Sequence, residues 1–256
     1  MPVAVHYSRS VIPGTLRIGL LGAARIAPMA LIRPARHVPE VQILAVAARL
    51  FAERGVVGTS MAEIASRSGL QQSSLYYYFR NKQQLLDELV AEANRAPLAL
   101  VTRVRADGGR AAVQLYRIVR ADVMALSALP YDINEVHRMA ARDHAGFARY
   151  WRERGRLLDR VTDVIAEGVE SGDLRRVDAR LTALTVLSND EATQTWMRGP
   201  GPARRAGKGG PLLGGPHVVG AFLADMTVRS LLADPDALDA VRLEADHLDA
   251  RAVLED

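Results

Sequence analysis

No cysteine occurs in the 256 residues. That excludes disulfides, thiolate metal sites and a thiol nucleophile, and it suits a reducing cytoplasm. Lysine is nearly missing as well: Lys82 and Lys208 stand against 31 arginines, a bias of coding composition rather than a sign of nucleic-acid chemistry. No stretch reaches the roughly 18–20 uncharged apolar residues that a membrane span needs. The nearest candidate, LRIGLLGAARIAPMALI, is broken by Arg17 and Arg25. Beyond residue 50 there is neither strand-type alternation nor an internal repeat. What remains is ordinary for a globular chain: 49% hydrophobic and 24% charged residues, enough for one medium domain or two small ones with a substantial core.

Two unevennesses stand out. Residues 1–95 carry 11 Arg and Lys against 6 Asp and Glu, whereas residues 96–256 carry 22 against 23. The excess positive charge therefore lies in the first third, as expected of a chain whose front end meets a polyanion. Aromatics are scarce (Trp 2, Tyr 7, Phe 4), yet four stand in a row at Tyr76, Tyr77, Tyr78 and Phe79. A core needs only one or two of them.

From about Val41 the text is helical. ILAVAARLFAERG puts Ile43, Ala47, Leu50 and Phe51 on one face and stops at Gly55. Ser60-Met-Ala-Glu63 is a capping box opening a short helix with Met61, Ile64 and Ala65 inward, ending near Ser68-Gly69. QSSLYYYF follows as a second short helix. Asn81, with Gln84 three residues on, caps a longer one, KQQLLDELVAEANRA. Later helices are read over FARYWRERGRLLDRVTDVIAEGVESG, DARLTALTVLSNDEATQTWMR and HVVGAFLADMTVRSLL. Beyond Pro97 the helical text continues, punctuated by Gly108-Gly109, Pro130 and Gly172. Residues 199–216, with 7 Gly and 4 Pro, are expected to form a mobile loop.

Helices of about 13, 8 and 7 residues, with a glycine turn between the second and third, make a helix-turn-helix unit whose third helix enters the major groove of DNA. On that helix Leu75 and Phe79 are four apart and point together into the core. Gln72, Ser73, Tyr76 and Tyr77 point elsewhere. Glutamine pairs with adenine through two hydrogen bonds and serine bonds to any base. Tyrosine offers a hydroxyl to phosphate and a flat face to thymine methyls. Lys82 stands in the first turn of the next helix, where a cation opposes the helix dipole but would neutralise a phosphate.

These residues resemble the DNA-binding domain of TetR-type transcriptional regulators over residues 43 to 95. The matching pattern is Phe51 to Gly55, Thr59-Ser60, Ile64-Ala65, Gly69-Leu70, Leu75-Tyr76-Tyr77-Tyr78-Phe79, Lys82 and Leu85-Leu86. The resemblance implies that Gln72, Ser73, Ser74, Tyr76, Tyr77 and Tyr78 contact DNA, and that Ser60 and Lys82 hold backbone phosphates. It also implies an all-α fold, in which the three-helix DNA-binding domain is followed by a helical bundle that dimerises and binds a small-molecule effector. Effector binding would change the separation of the two reading helices and release a double-stranded DNA operator. The chain is thus expected to be a cytoplasmic, homodimeric, ligand-responsive repressor with no membrane segment. No catalytic residue, metal or cofactor is expected.

Residues 16 to 49 carry a second resemblance, to the start of Gfo/Idh/MocA-type NAD(P)-dependent oxidoreductases. Gly22, Ala24 and Ala27 would take the places of the small residues of a dinucleotide turn, and ILAVAAR would be the second strand. No acidic ribose ligand follows Arg49, and the further strands of such a domain are missing. An oxidoreductase is therefore the alternative reading. The organisation expected is a weakly packed, dehydrogenase-like extension over residues 1–40, a DNA-binding domain over 41–95 and an effector and dimerisation domain over 96–256.

In that last domain, polar residues within apolar stripes mark a ligand site. Asn189, Asp190, Thr193 and Gln194 interrupt the helix that ends at Trp196. Asp122, His137, Tyr150 and Trp151 are further candidates, while the seven-residue spacing of His137 and His144 makes only a thin case for metal. Asp122, His137, Trp151, Asn189, Thr193 and Trp196 form the expected effector set. Residues 178–198 and 217–233 are expected to carry dimerisation. The loop cations Arg204, Arg205 and Lys208 are expected to be solvated.

Overall fold

The computed structural model describes residues 38–129, 132–198 and 214–254. The 1–40 extension, with its dinucleotide-turn reading, lies outside the described residues up to position 37, and so does the 199–216 loop up to position 213. Described residues are helical apart from turns and one isolated antiparallel bridge, Leu174 to Leu232. The helices are α1 (Val38–Arg54), α2 (Met61–Arg67), α3 (Gln72–Tyr78), α4 (Lys82–Asp107), α5 (Ala111–Ala128), α6 (Ile133–Arg142), α7 (Ala148–Ser171), α8 (Ala179–Arg198), α9 (Pro216–Leu231) and α10 (Leu238–Leu254). The strand assigned to ILAVAAR is part of α1, whose Ile43, Ala47, Leu50 and Phe51 are buried at helical spacing. The oxidoreductase reading loses its second strand to a helix.

The short helices start where the caps direct them. Ser60 Oγ accepts from the Glu63 backbone N–H at 3.1 Å, but the Glu63 carboxylate turns to Arg54 Nη1 at 2.6 Å. The capping box is therefore half made. At α4, Asn81 Oδ1 accepts from the Gln84 N–H at 2.8 Å, and Gln84 Oε1 accepts from the Arg80 N–H at 2.8 Å, one residue before the cap. The turn between α2 and α3 passes through Gly69 at φ +70°, a left-handed conformation that costs any L side chain about 1 kcal/mol or more.

Pro97 does not end α4, which continues to Asp107. Proline removes the N–H that would bond the Ala93 carbonyl, yet Ala93 before it and Leu100 and Val101 after it are buried. Packing on both sides outweighs the lost bond.

Two apolar cores result. One joins α1–α3 and the start of α4 to Leu126 and to Ile133, Val136, Met139, Ala140, Phe147 and Tyr150. The other surrounds α5 with the rest of α4, α7, α8, α9 and α10. Helix α5 touches α4, α7, α8, α9 and α10, and its first turn is capped by Asp173, whose carboxylate accepts from the Ala112 N–H at 2.7 Å. Helix α10 docks through buried Leu238, Val241 and Ala245 and also through charge. Arg117 bridges Asp107 and Asp249 at 2.6 Å each, and Arg120 reaches Asp246 at 2.6 Å and Asp249 at 2.5 Å.

Candidate DNA interface and effector site

Helix α3 has only seven residues and is held from behind. Leu75 is fully buried and Phe79 is 4% exposed, each burial contributing about 1.5–3 kcal/mol. Gln72, Ser73, Tyr76 and Tyr77 face solvent, and Tyr77 is 85% exposed. A neutral aromatic this open gains nothing from the fold. Ser74 and Tyr78 are half-buried. The Tyr78 ring packs on the first core and meets Tyr77 edge-on, with centroids 5.3 Å apart. The four-aromatic run thus divides: Phe79 anchors, Tyr78 buttresses, and Tyr76 and Tyr77 project.

Ser60 is exposed at the start of α2, but its Oγ already accepts the cap bond, leaving its O–H to donate outward. Lys82 is half-buried. Its Nζ donates to the Thr59 carbonyl at 2.9 Å and lies 3.5 Å from the Val57 carbonyl. Thr59 is buried, and its Oγ1 lies 2.9 Å from the Gly55 carbonyl and 3.2 Å from that of Leu50. Lys82 therefore ties the α1–α2 turn to the start of α4, with one ammonium proton left to point outward. Arg67 and Arg80, exposed at the end of α2 and just after α3, add cations that the sequence reading did not name. Their flanking of the Tyr run was the available signal.

The second site lies where α5, α6, α7 and α8 meet. Asp122, Asp190, Glu191, Thr193 and Gln194 are buried. Arg154 Nη2 is 2.5 Å from Glu191 Oε1, and His137 Nε2 is 3.1 Å from Glu191 Oε2. His137 Nδ1 bonds the Tyr150 hydroxyl. Gln194 donates to the Leu126 carbonyl and accepts from the Ile133 N–H at 2.7 Å. Thr193 Oγ1 bonds its own helix at the Asp190 carbonyl, 2.5 Å away. Asp122 Oδ1 and both Asp190 carboxylate oxygens have no hydrogen-bond partner.

Burial pushes the Asp122 carboxyl up to about 7, Glu191 adding and Arg154 opposing. Burial likewise pushes Asp190 well above the carboxylate range, reinforced by Asp122 and Glu191 and opposed by Arg154. The Tyr150 hydroxyl is raised by burial against the pull of Arg154. Shifted groups of this kind are found both at functional sites and in structural ion-pair networks.

Of the expected effector residues, Asp122, His137 and Thr193 belong to this junction. Trp151 lies beside it, its ring edge-on to Tyr150 with centroids 5.1 Å apart and its Nε1 donating to the Ala140 carbonyl at 3.2 Å. Asn189 and Trp196 do not belong. Both lie on the exposed side of α8, because one residue along a helix turns the side chain about 100°, and Asp190, not Asn189, faces inward. Glu191 and Arg154 were missed, although an Asp-Glu pair within an apolar helix signals buried charge. His144 stacks on Trp151 with centroids 4.7 Å apart and does not meet His137. Among the described residues no group of three or more histidine or acidic side chains is placed to hold a metal ion, and no helix is long and apolar enough to cross a membrane.

An apolar face also lies open. Leu181 and Leu184 on α8 and Val218, Phe222 and Met226 on α9 are exposed, Phe222 by 60%. The last three recur every four residues and form one stripe.

Comparison with known proteins agrees with this geometry. Residues 43–89 match the family model of the bacterial regulatory proteins of the tetR family. The HTH-type transcriptional repressor KstR2 of Mycobacterium tuberculosis (strain ATCC 25618 / H37Rv) is 26% identical over 170 residues, covering 63% of this chain and 82% of the relative. The HTH-type transcriptional regulator AcrR of Shigella flexneri is 37% identical over 68 residues, 26% of this chain and 32% of that protein. Among solved structures, the ketosteroid transcriptional regulator KstR2 of Mycobacterium tuberculosis superposes with a TM-score of 0.61 at 21% identity, covering 75% of this chain and 94% of that one. AibR in complex with isovaleryl coenzyme A and operator DNA gives a TM-score of 0.55 at 22% identity, covering 76% and 98%.

Proposed function

We propose that this chain is a DNA-binding transcriptional regulator, a repressor that a small-molecule effector releases from its operator. The observation that carries the reading is the divided α3. A helix held by Leu75 and Phe79 presents Gln72, Ser73, Tyr76 and Tyr77 to solvent within a segment that matches the tetR-family model. Gln72 and Ser73, at the N-terminal end of α3, reach base edges. Tyr76 and Tyr77 meet sugar, phosphate and thymine methyls, and Ser60, Ser74, Tyr78 and Lys82 support the backbone contacts.

The exposed faces of α8 and α9 join two copies of the chain, since an apolar stripe of this kind is otherwise a liability in water. The dimer sets the spacing of the two half-sites. Residues 41–95 act as the reading unit and residues 96–256 as the effector and dimerisation unit, although α4 runs through the boundary without a break. Effector binding at the α5–α8 junction reaches the reading unit by two physical links. Helix α6 packs on α1, α4 and α8, and Asn94 Nδ2 on α4 donates to the Tyr150 carbonyl on α7 at 3.1 Å. The solved AibR complex, with both a coenzyme A ester and operator DNA, supports a two-ligand logic of this kind.

Gel retardation with DNA from upstream of the protein's own gene tests the reading. Specific retardation is expected, with log affinity falling against log salt by about 0.9 per phosphate contacted. No specific retardation of any upstream fragment contradicts it.

A further inference from the structure

We propose that the effector carries a cationic or strongly hydrogen-bond-donating group, with a protonated amine as its simplest form, and that Asp122 and Asp190 are its anchors. This rests on the reading of the α5–α8 junction as the effector site. The argument is one of unmatched acceptors. Three carboxylates, on Asp122, Asp190 and Glu191, meet there, with one guanidinium, Arg154, and one imidazole, His137. Both basic groups lie against Glu191, at 2.5 Å and 3.1 Å, the imidazole at ion-pair distance without a hydrogen bond from Nε2.

The neighbouring donors are committed elsewhere. Thr193 bonds the Asp190 backbone carbonyl, Gln194 bonds the Leu126 carbonyl, and the Tyr150 hydroxyl meets His137. Asp190 is fully buried with both carboxylate oxygens unpartnered, and Asp122, 4% exposed, leaves Oδ1 unpartnered. A buried acceptor without a donor costs about 1–3 kcal/mol, and more when charged. A structural role gives no return for that cost, whereas a donor brought by a ligand does. His137 and Arg154 keep about a fifth of their side chains exposed, so the junction opens to solvent along their side.

The selectivity expected is opposite to that of an anion site. An ammonium, which favours ionisation of the acidic pair as it binds, is preferred to a hydroxyl of the same skeleton, and a carboxylate beside Glu191 gains no such pairing. The test is a thermal-shift titration of the full chain at pH 7.5 with 1-hexylamine, 1-hexanol and hexanoate, repeated on Asp190→Asn and Asp122→Asn. The amine is expected to raise Tm more than the alcohol, and hexanoate not at all. The amine's advantage should vanish in both variants while the alcohol's shift persists. Asparagine keeps the volume of aspartate and removes an ionisable carboxyl from a buried position, so neither variant should lose the fold; circular dichroism verifies this. A hexanoate shift equal to or above the amine's, an amine advantage surviving in both variants, or no shift with any probe overturns the proposal. Operator retardation measured alongside separates the two readings. Amine selectivity without loss of retardation leaves the anchor standing and contradicts the effector role, while release by hexanoate keeps that role and contradicts the anchor.

Discussion

Lys82 Nζ lies 2.9 Å from the backbone carbonyl of Thr59, so the first turn of α4 grips the turn that aims α2. A cation at a helix N-terminus is mildly unfavourable to the dipole, and here carbonyl oxygens offset it. The same ammonium keeps one donor for a phosphate.

Lys82→Ala is therefore expected to act twice. Loss of the carbonyl contacts should lower unfolding free energy by about 1–2 kcal/mol in urea titrations. The slope of log operator affinity against log salt should fall by about 0.9. A loss of stability with an unchanged slope would confine Lys82 to holding the turn.

The acidic junction gives the protein an inverted pH dependence. Asp122 and Asp190 have folded pKa values raised above those of the unfolded chain, Asp122 to about 7. Their contribution is complete below the carboxylate range of the unfolded chain and is lost as pH rises from there through the folded values. The charged groups acting on them are each other, Glu191 beside Asp190 on α8, and Arg154 on α7; His137 on α6 pairs with Glu191 and bonds the Tyr150 hydroxyl. Tm is expected to fall between pH 5 and pH 8.5, and Asp190→Asn should flatten that fall and melt above the parent at pH 8.5. A parent Tm that rises over this range would contradict the assignment.

The stripe on α9 predicts the oligomeric state. Phe222→Asp and Met226→Asp each place a charge on a face that a second copy would cover, and light scattering should show the molar mass halved. Operator affinity should fall with it, because a single reading helix loses the second half-site, while the far-ultraviolet circular dichroism of the monomer stays helical. A monomeric parent protein would remove the basis for this prediction.

Which parts of this were legible in the sequence follows from period and caps. Leu75 and Phe79, four apart, had to share a face, and the structure buries both. The Ser60 and Asn81 caps were readable because a side-chain oxygen three residues before a free N–H has few alternatives. The helix read over KQQLLDELVAEANRA stops short of Pro97 because proline is weighed as a breaker, while what buries Ala93, Leu100 and Val101 on either side of it comes from distant parts of the chain.

Helix α10 is absent from the sequence reading: its apolar residues Leu238, Val241 and Ala245 stand among many charges, and Asp246 and Asp249 look like solvent-facing residues until Arg117 and Arg120 of α5 are seen to hold them. Asn189 and Asp190 show the finer limit. A helix's period separates its faces but does not say which face meets the neighbours; the structure turns Asp190 inward and Asn189 outward.

The most direct test of the central claim is fluorescence anisotropy of a labelled upstream operator with the parent, Gln72→Ala and Tyr77→Ala proteins, all verified as folded. Because both side chains are exposed and pack on little, unfolding free energies should stay within about 0.5 kcal/mol of the parent. Operator affinity should drop by about 1–3 kcal/mol for Gln72→Ala, with discrimination lost at one base pair, and Tyr77→Ala should weaken binding as well. Unchanged affinity and unchanged base preference in both variants would show that the exposed side of α3 does not meet DNA.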